Sequence, residues 1–224
     1  FNIKRFGERV EIYLGDLTVN GRKIDLTRDP KWEGRNNRVQ YVEPNFQAMH
    51  DYGWSQTNWA GKQPGEIGGL TWRTEPQDPL FSYYGEDVGP LTLEDSISFS
   101  GSIYFLTGMT DAAAYFGYFN RTDQTKILPA GAADAGFPRA NMMGIAISDS
   151  SAVGYYFSPV VSSAQRLGIS HRNTVFTPDG KRHRFSFQYD PDANDGVGRI
   201  EVKLDDQNRV MDLTPELRKS GALL

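Results

Sequence analysis

Almost every stretch of this chain long enough to be a structural element alternates apolar and polar residues at period two, and a glycine or proline soon interrupts it. Twenty-three glycines and twelve prolines in 224 residues supply the interruptions. Such segments bury one face each and need a second layer to cover it. The pattern therefore predicts an all-β sandwich or barrel. In residues 8–17, Val10, Ile12 and Leu14 share one face, and Asn20-Gly21 then reads as a type I′ hairpin turn. Residues 96–106 alternate through Ile97 and Phe99, with Gly101 as a bulge or bend. Residues 114–119, 143–147 and 153–157 read as further strands, and 184–189 with 198–204 as a hairpin pair. Helical period is confined to residues 213–221, where Thr214 is the N-cap, Pro215 the first helical residue and Gly221 the stop. No repeat or linker interrupts the pattern, so residues 1–224 are expected to form a single domain.

Composition excludes several function classes. The net charge of −4 argues against a generally basic nucleic-acid binder. No apolar run approaches membrane-spanning length, so no membrane partner is expected. There is no cysteine, which removes disulfides, thiolate nucleophiles and thiolate metal sites together. The chain opens at Phe1 rather than Met and reads as a processed or trimmed product. Nothing in it sets an oligomeric state.

Periodicity is weakest between Lys31 and Leu91, and a loop region that long in a compact domain is usually functional. The stretch from His50 to Gly61 holds one of three histidines and two of four tryptophans. It shows no apolar alternation and reads as loop, ahead of a strand from Glu66 to Arg73.

Three segments carry a resemblance. They are residues 25–37 (DLTRDPKWEGRNN), residues 65–73 (GEIGGLTWR) with 88–93 (VGPLTL), and residues 178–202 (PDGKRHRFSFQYDPDANDGVGRIEV). Together they resemble a group of bacterial secreted proteins with a concanavalin A-like (laminin G-like) jelly-roll sandwich of two antiparallel sheets. The resemblance covers most of the chain and implies a secreted or periplasmic location. In that group a segment like residues 5–17 follows one like residues 213–224. Here it comes first, which implies that residues 1–20 form a closing strand beside the C-terminal end. The fold hosts lectins, glycan-binding modules, glycoside hydrolases and polysaccharide lyases, and the group itself has no established reaction. A polysaccharide or oligosaccharide is the partner this implies.

The residue types point to three carbohydrate chemistries. A polysaccharide lyase acting by β-elimination needs a cation for the uronate carboxylate, a base for the C5 proton and an acid for the leaving oxygen. Arg35, Arg38, Arg73 and Arg172 offer guanidinium forks, His50 or His171 the base, and Tyr84 the acid. A glycoside hydrolase needs two carboxyl groups flanking the bond, and Glu66, with a partner such as Asp51 or Glu43, is the candidate. A noncatalytic glycan-binding module needs aromatic faces beside amides. Trp54 and Trp59 with Gln56 and Asn58 supply them, as do Trp72 and Gln63. The competing reading buries these indoles in a core under the loop. No cofactor is expected. Asp190, Asp192, Asn194 and Glu201 imitate a calcium loop, but Asp195 stands where the sharp turn needs glycine. The string reads first as hairpin-turn chemistry and second as a calcium site.

Overall fold

A computed structural model describes residues 9–35, 50–72, 83–108, 113–122, 141–149, 155–165, 168–170 and 174–224. Its elements are almost all strands: β1 (Arg9–Val19), β2 (Arg22–Lys23), β3 (Glu33–Arg35), β4 (His50–Ser55), β5 (Glu66–Trp72), β6 (Tyr83–Gly85), β7 (Ile97–Thr107), β8 (Ala113–Phe119), β9 (Met142–Asp149), β10 (Tyr155–Ser162), β11 (Gly168–Ser170), β12 (Val175–Phe176), β13 (Arg182–Asp190), β14 (Arg199–Leu204) and β15 (Gln207–Asp212). One short helix, α1 (Pro215–Ser220), completes the described residues. The strand pairs with a defined register are antiparallel throughout.

Two compact units interleave along the chain. Unit 1 takes Phe1–Val88, Ser100–Ala112 and Thr177–Phe185, and unit 2 takes Gly89–Phe99, Ala113–Phe176 and Ser186–Leu224. Strands β7 and β13 thus begin in one unit and end in the other.

In unit 1 the strand order is β13-β7-β1-β5-β4, with β2 pairing β1 and β3 pairing β6. The β1–β2 hairpin turns at Asn20 (φ 48°) and Gly21 (φ 76°), the two left-handed residues that a type I′ turn requires. The better-buried face of β1 carries Glu11, Tyr13, Gly15 and Leu17, while Ile12 and Leu14 are half-exposed. The apolar set read from the sequence is therefore the less covered one. Residues 60–61 lie over the better-buried face. A Cβ at Gly15 would sit 2.6 Å from the Gly61 nitrogen and 2.8 Å from its Cα. Gly101 also answers to close approach. β7 continues unbroken through it, and a Cβ there would meet the Gly15 carbonyl oxygen at 2.7 Å.

In unit 2 one layer has the order β15-β14-β13-β7 and a second the order β11-β10-β9-β8, with β12 pairing β10. Strand β10 comes close to both β14 and β15. The space between is filled by aromatic rings: Phe99 of β7 stacks on Phe187 of β13 (4.7 Å, 13°) and meets Phe116 of β8 edge-on at 6.1 Å. Phe116 touches Phe157 of β10 at 5.9 Å. Each such ring, when fully buried, contributes roughly 1.5–3 kcal/mol, so the cluster adds several kcal/mol of gross stabilisation to the unit. Tyr118 lies on the same face of β8 as Phe116, and burial pushes its phenol up to about 12.

Helix α1 has the predicted ends. Thr214 Oγ1 accepts the Leu217 N–H, Pro215 opens the first turn and Gly221 (φ 69°) closes it. Thr214→Ala is expected to cost about 1 kcal/mol of unfolding free energy, read as a lower urea midpoint at constant m. Arg218 joins the helix to the 91–95 turn through the Leu93 carbonyl, the Tyr189 hydroxyl (2.7 Å) and Glu94 (2.6 Å). The C-terminal residues also bond there: the Leu224 N–H donates to Leu91 (2.8 Å), and Leu223 bridges Thr92. The sheet neighbours of β1 are β7 and β5. Residues 1–8 lie outside the described residues.

Candidate functional site

The segment expected to be a loop, His50 to Gly61, is half strand. His50–Ser55 forms β4, an edge strand paired to β5 with His50↔Thr71, Tyr52↔Gly69 and Trp54↔Ile67. The inward positions of β4 on the Glu11–Tyr13 side are Asp51, Gly53 and Ser55, none of them apolar, so hydrophobic alternation could not reveal it. The registers put Glu11, Leu70 and Asp51 in one row across three strands, and Tyr13, Gly68 and Gly53 in the next. Glu11 is nearly buried and Asp51 wholly so. The Tyr13 hydroxyl donates to Glu11 Oε1 at 2.5 Å.

The loop proper, residues 56–65, returns over this face and is held by Glu66, which is 0% exposed. Glu66 Oε1 accepts the Thr57 hydroxyl and the Trp59 N–H (3.0 Å). Glu66 Oε2 accepts the N–H groups of Ala60 (2.7 Å) and Gly61 (3.3 Å). Four donors thus surround one carboxylate, which acts as a loop anchor. This corrects the placing of Glu66 as a glycosidase acid: a carboxyl occupied by backbone donors and closed to solvent has no face to offer a glycosidic oxygen.

The two loop tryptophans separate. Trp54 is 6% exposed and its Nε1–H donates to the Leu26 carbonyl at 3.0 Å. It belongs to the core on the opposite face of β4, which corrects its assignment to ligand binding. Trp59 is 47% exposed and packs against Tyr104 of β7, with ring centroids 5.5 Å apart and planes tilted by 32°. Gln56, Asn58, Lys62 and Gln63 of the same loop are exposed.

Arg182, at the start of β13, secures the loop from the other side. Its Nε donates to the Trp59 carbonyl (3.3 Å), and its Nη2 reaches the carbonyls of Asn58 (3.2 Å), Trp59 (3.3 Å) and Gly61. Sequence reading missed Arg182, which sits in the basic run from Lys181 to Arg184. Its partners are 121 to 124 positions away, and no local signal connects them. Its neighbour His183 faces Asp179, 3.1 Å from Oδ1.

Tyr84 of β6 is half-buried, packs on Trp32 at 5.7 Å and donates its hydroxyl to Asp29 Oδ1 at 3.1 Å. Burial first, and then the Asp29 carboxylate, raise its phenol well above the ordinary range, so it stays protonated at neutral pH. The backbones of Arg35 and His50 lie in β3 and β4. The side chains of these two, and all of Arg38, Arg73, His171 and Arg172, lie outside the described residues.

In the 190–201 segment, Asp190 Oδ1 accepts the Asp192 N–H (3.0 Å) and Asn194, Asp195 and Gly196 take positive φ, forming a tight connection between β13 and β14. Glu201 pairs with Lys203 at 3.0 Å. Among the described residues no three His, Asp or Glu side chains are grouped to hold a metal ion. Nor, among them, is any helix long and apolar enough to cross a membrane.

Comparison of the chain with protein-family models, with curated proteins and with solved structures gave no match.

Proposed function

We propose that this chain is an extracytoplasmic, carbohydrate-directed jelly-roll domain that holds a saccharide against the Trp59 surface of unit 1. The observation that carries the reading is an indole left 47% exposed on a loop that is otherwise rigidly tied down. Leaving an aromatic ring in water is unfavourable, and a sugar's C–H face is a natural cover for it. Gln56, Asn58 and Gln63 place amides for hydroxyl groups within the same loop. Glu66 and Arg182 set the loop before any ligand arrives, which removes part of the ordering cost of binding. The two aromatic-filled layers of unit 2 support the sandwich part of the proposal.

β-Elimination of a uronate polysaccharide is the catalytic form of the same reading. Arg38 and Arg73 would neutralise the carboxylate, His50 or His171 would take the C5 proton, and Tyr84 would protonate the leaving oxygen. Of these groups Tyr84 is the one whose side chain is described, and its hydroxyl is directed to Asp29 Oδ1 at 3.1 Å.

The test is retention on a panel of immobilised neutral, uronate-containing and sulfated polysaccharides. Trp59→Ala is expected to weaken binding about thirtyfold, the equivalent of about 2 kcal/mol for an aromatic hot spot. Its urea midpoint should barely move, because the side chain lies at the surface. Equal retention of both proteins on every glycan would remove the proposal. New ultraviolet absorbance from an unsaturated uronate would add elimination to it.

A further inference from the structure

The Arg182 side chain is exposed, yet its guanidinium is immobilised. Nε and Nη2 are bonded to the backbone carbonyls of Asn58, Trp59 and Gly61, and these are neutral acceptors. Among the described residues Nη1 has no partner, and no carboxylate of theirs forms an ion pair with the group. A guanidinium held in this way presents its Nη1 donors and a fixed positive charge beside the exposed indole. Alternation along β13 puts Arg184 on the same strand face, and Lys62 is exposed in the loop that Arg182 holds. The acids of this region are engaged or covered: Glu66 by four donors, Glu11 by Tyr13, and Asp179 by His183. Among the described residues of the loop and the start of β13, Arg182 and Lys62 thus place positive charge at the surface near Trp59, on a chain whose net charge is −4.

We infer that the Trp59 surface selects an anionic saccharide, with a ring carboxylate or sulfate received by Arg182 while the neighbouring sugar face lies on the indole. The inference rests on the carbohydrate reading above and narrows it to one ligand class. Lys cannot replace Arg182, because an ammonium has no planar group that can span the loop carbonyls and still direct a further nitrogen outward.

The experiment uses matched probes: a uronate oligosaccharide and its methyl ester, and a sulfated galactan oligosaccharide and its desulfated form. Titration calorimetry is run on the whole chain, on Arg182→Gln and on Arg182→Lys, with Trp59 fluorescence reporting whether the loop keeps its place. One anionic probe should bind the parent protein at least about tenfold more tightly than its neutral twin, and added salt should reduce that preference. Arg182→Gln should bring the ratio near one, whatever loss of the loop tie does to the absolute affinity, and Arg182→Lys should recover only part of it. Neutral twins that bind as well as their anionic forms would overturn the inference and leave the carbohydrate reading intact. An unchanged ratio in Arg182→Gln would also overturn it. Failure of every probe to bind would overturn both.

Discussion

Glu66→Gln is expected to lower the unfolding free energy by about 3 kcal/mol, because it replaces an acceptor-only group among four donors with one that must turn an N–H toward them. The carboxylate has no contact with solvent, so water cannot restore what is lost. Two of the four donors, the Ala60 and Gly61 N–H groups, converge on one oxygen. Whichever way the amide is turned, one pair of donors faces an NH2. The measurement is urea denaturation at constant m, with Trp59 emission as a second readout of loop release. A catalytic Glu66 would give the opposite outcome, a variant as stable as the parent but inactive toward glycan. Parent-like stability would thus sink the anchor role and reopen hydrolysis.

Gly65→Ala should be more damaging still, at least about 4 kcal/mol or outright failure to fold. Gly65 lies at φ +111°, a conformation an L side chain rarely takes, and a Cβ there would overlap the Leu26 carbonyl. That carbonyl receives the Trp54 indole N–H, so a displacement at Gly65 is passed to the core tryptophan. Gly21→Ala is the control. Gly21 also has positive φ (+76°), but open space surrounds it, and its cost should be about 1 kcal/mol. Equal urea midpoints for the two variants would show that the Leu26 contact does not limit residue 65.

How much was legible depended on where the information sat. The hairpin at Asn20-Gly21 and both ends of α1 were readable because turn and cap chemistry lies within a few adjacent residues. Strands β7, β13 and β14 were readable because their buried positions are apolar. Strand β4 was not, because Asp51, Gly53 and Ser55 occupy its inward positions. In β1 the reading inverted, since the covered face carries Glu11, Tyr13 and Gly15 and the apolar face is half-open. Of the candidate site, the sequence singled out Trp59 and its amides but could not rank Trp59 above Trp54. The two indoles differ only in what lies on each side of the sheet.

By itself, the sequence determined a β protein with helical period confined to its C-terminal end, its local turns and caps, and a loop rich in aromatic and amide groups. These follow from residue type and spacing over one or two turns of chain. Tertiary structure alone decided that Glu66 is an anchor, that Trp54 is core while Trp59 faces solvent, and that Arg182 is pinned beside it. Each outcome depends on contacts made when the 56–65 loop folds back over the sheet. The most decisive of them joins residues more than a hundred positions apart, a separation across which spacing and periodicity carry no information.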